Sequence, residues 1–217
     1  GIMDQFAIIL SEKNKVMMLD CRDRTYQFFP AAIPGTKWVL INTKVKHQLI
    51  DSDYNQRARE CKLSVDNLKF AFYEVKSLRD VTLDMLSNSG LPELHKQRCR
   101  FVIEENQRVK EMVNALSKKD AVPAGELLKA SHHGLQYLYE VSCEELDHLA
   151  DIANSTEGVF GGRMMGGGFG GCVICLVQED AMDAFLKKAI SSYEQTFGFK
   201  PEVIEFELSD GVSMVSP

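Results

Sequence analysis

The chain has 217 residues, 45% of them hydrophobic and 26% charged, and carries a formal net charge of −6. That balance is ordinary for a globular protein, and the acidic excess excludes non-specific nucleic-acid binding, which needs a basic surface. No apolar run approaches the roughly 18–20 residues that span a bilayer. The first ten residues are apolar but lack the basic flank and small-residue cleavage site of a signal peptide. Six cysteines, at 21, 61, 99, 143, 172 and 175, do not cluster at metal-ligand spacing; they imply free thiols in a reducing, cytoplasmic setting. The chain opens Gly1-Ile2-Met3-Asp4-Gln5 without an initiator methionine, as expected of a piece cut from something longer.

In chain order, residues 4–11 read as a helix with Asp4 near its positive end. Residues 16–20 and 25–29 read as short strands joined by a tight connection. Two prolines and a glycine between Pro30 and Gly35 mark a linker, and a domain boundary is placed there, dividing 1–33 from 34–217. A strand follows at 38–43, then a long helix at 53–72 with Tyr54, Ala58, Cys61, Val65, Leu68 and Phe72 at helical spacing. Residues 81–87 predict a short helix or turn, 94–116 a second long helix, 124–142 a third in two pieces, and 143–154 a fourth. Residues 158–171 read as a glycine loop, 172–177 as a buried strand, 181–197 as an amphipathic helix and 201–208 as an alternating strand. This order predicts an α+β fold, a small sheet with helices on one face.

The most informative stretch is Gly161-Gly162-Arg163-Met164-Met165-Gly166-Gly167-Gly168-Phe169-Gly170-Gly171, in which seven of eleven residues are glycine. Glycine loses the most backbone freedom on folding, so such a run marks unusual dihedrals or a close approach. Two readings stand: a phosphate- or nucleotide-facing wall of backbone N–H groups, or a purely structural turn into the core strand. No Gly-Lys-Ser/Thr follows, so it is not a P-loop, and the strand after it excludes a dinucleotide fingerprint. Cys172 and Cys175 lie at i and i+3 on a strand, facing opposite sides, and predict two small buried hydrophobes rather than a metal pair.

Other residues carry paired readings. Asp4 is either a desolvated carboxylate that accepts a hydroxyl proton or an N-cap or first-turn charge. Tyr54 presents its hydroxyl to a polar ligand or packs as a capping-region aromatic. Adjacent His132 and His133 point about 100° apart on a helix, so joint metal ligation is poor and Ser131 is expected as an N-cap. Glu140, Glu144, Glu145 and Asp147 read as a solvated helical face.

Four stretches in order carry a resemblance: Gly1-Ile2-Met3-Asp4-Gln5, residues 52–61 (SDYNQRAREC), Ser131-His132 followed by Tyr139-Glu140-Val141-Ser142-Cys143, and the glycine loop. Over essentially its whole length the chain resembles the galactokinase branch of the small-molecule kinase family that also holds homoserine, mevalonate and phosphomevalonate kinases. The resemblance implies the C-terminal, ferredoxin-like α+β domain of that family at 34–217, with 1–33 a remnant of the N-terminal domain. It implies transfer of a phosphoryl group from ATP, with Mg2+, to the anomeric hydroxyl of galactose. Asp4 matches the catalytic aspartate, Gly1 a backbone contact to the sugar, and Tyr54 a hydroxyl contact to it. Gly166, Gly167, Gly168, Phe169, Gly170 and Gly171 match the motif lining the site beside the phosphate loop.

The pattern departs at Met165, where many relatives carry Thr or Ser, and at Gly134-Leu135-Gln136-Tyr137, where many carry Ser-Leu-Arg-Asp. The family's N-terminal sugar motif and its phosphate loop have no counterpart in the chain. The resemblance therefore implies that both lie before Gly1, that the 217 residues alone are inactive, and that they include no metal ligands. Strands 16–20 and 25–29 are expected to pair with each other or with another copy of the chain. A galactose- and ATP-dependent regulatory sensor, or a kinase for a related sugar such as N-acetylgalactosamine, are the alternatives.

Overall fold

The computed structural model describes residues 2–46 and 50–213, with side chains described for 2–45 and 55–213. Gly1 lies outside the described residues, as does the side chain of Tyr54.

Helix α1 (Met3–Leu10) is followed by a hairpin of β1 (Lys15–Asp20) and β2 (Thr25–Pro30). The two strands pair antiparallel with each other, Val16 opposite Phe29 and Asp20 opposite Thr25. This meets the first of the two pairings expected from sequence. Asp20 helps close the turn. It accepts from the backbone and side chain of Arg22, which hold its carboxyl well below the usual carboxylate range.

A second, four-stranded sheet has the order β4-β5-β3-β6, every pair antiparallel. Its strands are β3 (Thr36–Lys46), β4 (Val159–Met164), β5 (Gly170–Gln178) and β6 (Glu202–Ile204). Alternation sorts the faces. Val173, Cys175 and Val177 of β5 join Val39 and Ile41 of β3 in the main core. Against them pack Leu146, Leu149, Ala150 and Ala153 of α6 (Glu144–Ser155) and Phe185, Ala189 and Tyr193 of α7 (Met182–Phe197). The Tyr193 hydroxyl donates to the Thr43 carbonyl across this core at 2.8 Å, satisfying a buried polar group. The opposite face is not bare, as a one-sided arrangement had implied. Leu176 joins Ile33, Leu116, Ala124 and Leu128 in a separate cluster.

Three more helices complete the fold: α2 (Ile50–Ala71), α4 (Glu93–Lys118) and α5 (Ala121–His133), with the short α3 (Leu83–Ser87) between α2 and α4. Val65 and Leu68 of α2 meet Cys99 of α4 in a third cluster with Val75, Leu78 and Val81. Helix α5 runs into a π-helical turn at Gly134–Tyr139. This is the break expected in the two-piece helix at 124–142.

Two expectations are corrected. The stretch read as a glycine loop from 158 is a strand as far as Met164, because Gly161 and Gly162 are packing glycines. A Cβ on Gly161 would lie 2.2 Å from the Gly125 carbonyl oxygen, and one on Gly162 2.9 Å from the Ala153 methyl. The strand read at 201–208 pairs only over Glu202–Ile204. Beyond it the backbone leaves the sheet and bonds to the start of the chain, with Asn14 N–H donating to the Leu208 carbonyl and Val212 N–H to that of Ile8.

Candidate active site

The glycine loop proper is the turn between β4 and β5. Gly166, Gly168, Gly170 and Gly171 all have φ between +82° and +123°, and Phe169 has φ +55°. Positive φ at four glycines is backbone that residues with a Cβ adopt only under strain, and it accounts for the run. The turn is anchored at three points. Met165 N–H donates to the Cys172 carbonyl at 2.8 Å, and Phe169 N–H to the Val141 carbonyl at 2.6 Å. Just before the turn, Met164 N–H donates to Nδ1 of the buried His132 at 3.2 Å. Because Nδ1 accepts, Nε2 is the ring nitrogen that carries hydrogen, and it lies 3.2 Å from Asp147 Oδ1. Asp147 accepts from Ser142. The loop is thus tied to α5, α6 and the segment between them.

The approach of Gly168 is the tightest: a Cβ there would lie 1.9 Å from the Val141 carbonyl oxygen. At Gly166 and Gly171 a Cβ would meet nothing within 4 Å, so those backbone faces are open. Open backbone at these two positions leaves room for a ligand to approach. A magnesium ion finds no protein cage: among the described residues no group of three or more His, Cys, Asp or Glu side chains stands at metal-holding distance.

Asp4 lies in the first turn of α1 and is exposed. It is not the cap, since Ile2 occupies that position without a side-chain cap bond. The helix is placed by the hairpin, through the Phe6–Tyr26 ring contact, and by the C-terminal segment at Gly211 and Val212. Asp4 and the glycine loop therefore hang on different neighbours. Tyr54 falls in the second turn of α2.

Several residues read as bland from sequence are structural members of this region. Ser131 is not an N-cap but sits near the end of α5, whose cap is Asp120; its hydroxyl donates to Glu105 at 2.6 Å. Glu105 also receives Arg163, at 3.1 Å, whose burial pushes the guanidinium down from its ordinary value. Glu140 is no mere solvated charge: it has φ +53° and pairs with the buried Arg98 at 2.6 Å. Asp147 stands 3.2 Å from Nε2 of the buried His132. The signal for all of these lay in pairings distant in sequence, which no local pattern displays.

Comparison with known proteins bears on this geometry. The model of the family "GHMP kinases C terminal" matches residues 104–195, a span that includes the loop, His132, Asp147 and Val141. Galactokinase of Thermotoga maritima is 39% identical over 99% of this chain and 59% of that protein. Galactokinase of Clostridium perfringens strain SM101 is 37% identical over 97% of this chain and 55% of its own length. The chain thus spans under two thirds of these relatives. Lactococcus lactis galactokinase complexed with galactose superposes with a TM-score of 0.91 at 34% identity, over 97% of this chain and 55% of that one. Mevalonate kinase of L. major in complex with R-mevalonate, at 16% identity and a TM-score of 0.52, shares the fold. Residues 104–195 thus match the C-terminal domain of the GHMP kinases, and the chain is similar to galactokinases along nearly its whole length.

Proposed function

We propose that the protein to which this chain belongs transfers the terminal phosphoryl group of ATP to the anomeric hydroxyl of galactose. The observation that carries this reading is the superposition on a galactose-bound galactokinase over 97% of the chain at a TM-score of 0.91. It is supported by the match of Asp4 and the glycine loop to the family's motifs. We place residues 1–33 with the portion that completes the sugar site, and 34–217 as the C-terminal domain.

Catalysis of phosphoryl transfer is chiefly positioning and charge stabilisation. ATP supplies the phosphoryl group, and magnesium offsets its charge. The residues of this chain orient the acceptor and shape the phosphate side. The Asp4 carboxylate, in the first turn of α1, receives the proton of the sugar hydroxyl or holds it in line; Gly1 and Tyr54 fix the ring through backbone and hydroxyl contacts. The open backbone at Gly166 and Gly171 faces the transferring group, and the Phe169–Val141 bond keeps the turn in place. The protein is taken as cytoplasmic, in keeping with its unpaired thiols.

The test is a phosphorylation assay of the whole protein with ATP and magnesium on a panel of galactose, N-acetylgalactosamine and mevalonate. Galactose 1-phosphate as the dominant product is expected. Preference for N-acetylgalactosamine would move the substrate, and binding of galactose and ATP without turnover would favour a sensor.

A further inference from the structure

Four consecutive backbone carbonyls, those of Leu138, Tyr139, Glu140 and Val141, emerge where the π-helical turn ends. A helix C-terminus leaves its last carbonyls without intrahelical partners. Here two arginines and the glycine loop take them in order. Arg98 donates to the Leu138 carbonyl. Arg57 donates through Nε to Tyr139 at 2.6 Å and through its second nitrogen to Glu140 at 3.1 Å. Phe169 N–H, in the glycine loop, takes Val141 at 2.6 Å. The guanidinium of Arg57 bridges neighbouring carbonyls with its rigid fork.

Both arginines are held from behind. Glu60, one turn after Arg57 on α2, lies 3.7 Å from Arg57 and 3.4 Å from Arg98 Nε. Its other oxygen accepts from Gln56 at 2.9 Å. The Glu140 carboxylate pairs with Arg98 at 2.6 Å. The Arg98 side chain is 2% exposed and that of Glu60 9%, so these charges are desolvated and paired with one another. The next residue on the path, Val141, is 1% exposed, and its carbonyl is the atom against which Gly168 is pressed.

We infer that Arg57 is a positioning residue for the glycine loop: with Glu60 and Arg98 it fixes the end of the π-helical turn, and through Val141 it sets where residues 166–171 sit. Tyr54 precedes Arg57 by three residues on the same helix. The clamp therefore ties the start of α2, where the sugar contact is proposed, to the loop on the phosphate side. This inference rests on the kinase reading for its functional meaning, but its physical content does not.

Hydrogen exchange, read peptide by peptide on the protein without substrate, tests that content. Arg57→Gln leaves the Tyr139 and Glu140 carbonyls short of a charged donor, and exchange across 166–171 should speed by about tenfold. Arg57→Lys keeps the charge but not the rigid fork that spans the two carbonyls, so its exchange should fall between wild type and Arg57→Gln. Ile33→Ala truncates a residue in the separate cluster and serves as a control for general destabilisation. It should leave loop exchange near wild type. Unchanged exchange in Arg57→Gln, or an equal rise in Ile33→Ala, would overturn the inference. In the whole protein Arg57→Gln should lower kcat for galactose more than it changes KM. A wild type that phosphorylates no sugar while the exchange result holds would defeat the kinase reading and leave the clamp standing.

Discussion

Gly166 and Gly168 stand two residues apart in one turn, and one added methyl group should separate them. Both have positive φ, +82° and +97°, so alanine at either is conformationally strained by about 1 kcal/mol. At Gly166 the methyl enters open space and that strain is the whole cost. At Gly168 it collides with the Val141 carbonyl oxygen at 1.9 Å. The loop must then shift and break the Phe169–Val141 bond, for a loss of about 3 kcal/mol. Chemical denaturation of the two variants checks this, and equal losses would contradict the geometry. The glycine run was legible as a site where the backbone does something unusual. Which of its glycines are indispensable was not, because that depends on Val141, 27 positions earlier. Phe169, in the left-handed region at φ +55°, gave no sign of it, since nothing about a phenylalanine announces such a backbone.

Among the elements, the periodic ones were readable and the broken ones only in part. Helices α2, α4 and α7 follow their apolar spacing to within a few residues, because each buries one stripe on a partner. The break at Gly134–Tyr139 was expected, but its π-helical form left no trace in the spacing. It is set by bonds from Arg57 and Arg98, which arrive from other helices. Strand β4 was hidden inside the glycine run because its glycines serve packing: Gly125 of α5 and Gly161 of β4 meet backbone to backbone. A Cβ on Gly125 would stand 2.3 Å from the Phe160 carbonyl oxygen. Gly125→Ala should therefore force α5 away from β4 and cost about 3 kcal/mol or more, despite alanine's better helix propensity. A thermal melt that rises on this substitution would show that the helix has slack the contact does not suggest.

At the scale of the whole molecule, burial of thiols gives stability a predictable pH dependence. Burial pushes Cys175 up to about 12 and Cys143 likewise, and Cys61 up to about 11, from an ordinary value of 9.0. These groups keep their protons when folded and lose them near pH 9 when unfolded. Their contribution is fully present below pH 9 and is lost as pH rises toward 12. The melting temperature should decline through that window, and iodoacetamide should label the exposed Cys21 well before the buried Cys175. A flat melting temperature between pH 9 and 11 would contradict this. The strand reading of 172–177 expected both Cys172 and Cys175 in the core; Cys175 is buried, and Cys172, nearer the start of the strand, only half-buried.

The same scale holds the central claim, because Asp4 and the glycine loop reach a common site only if the fold as a whole brings them to one sugar. The most direct measurement is the rate of galactose 1-phosphate formation by the whole protein, wild type against Asp4→Asn, at saturating ATP. Galactose turnover in the wild type and a fall of about 10²- to 10⁴-fold in kcat for the variant, with galactose still bound, are the expected results. A variant that keeps its full rate, or a wild type inert on galactose, would contradict the claim.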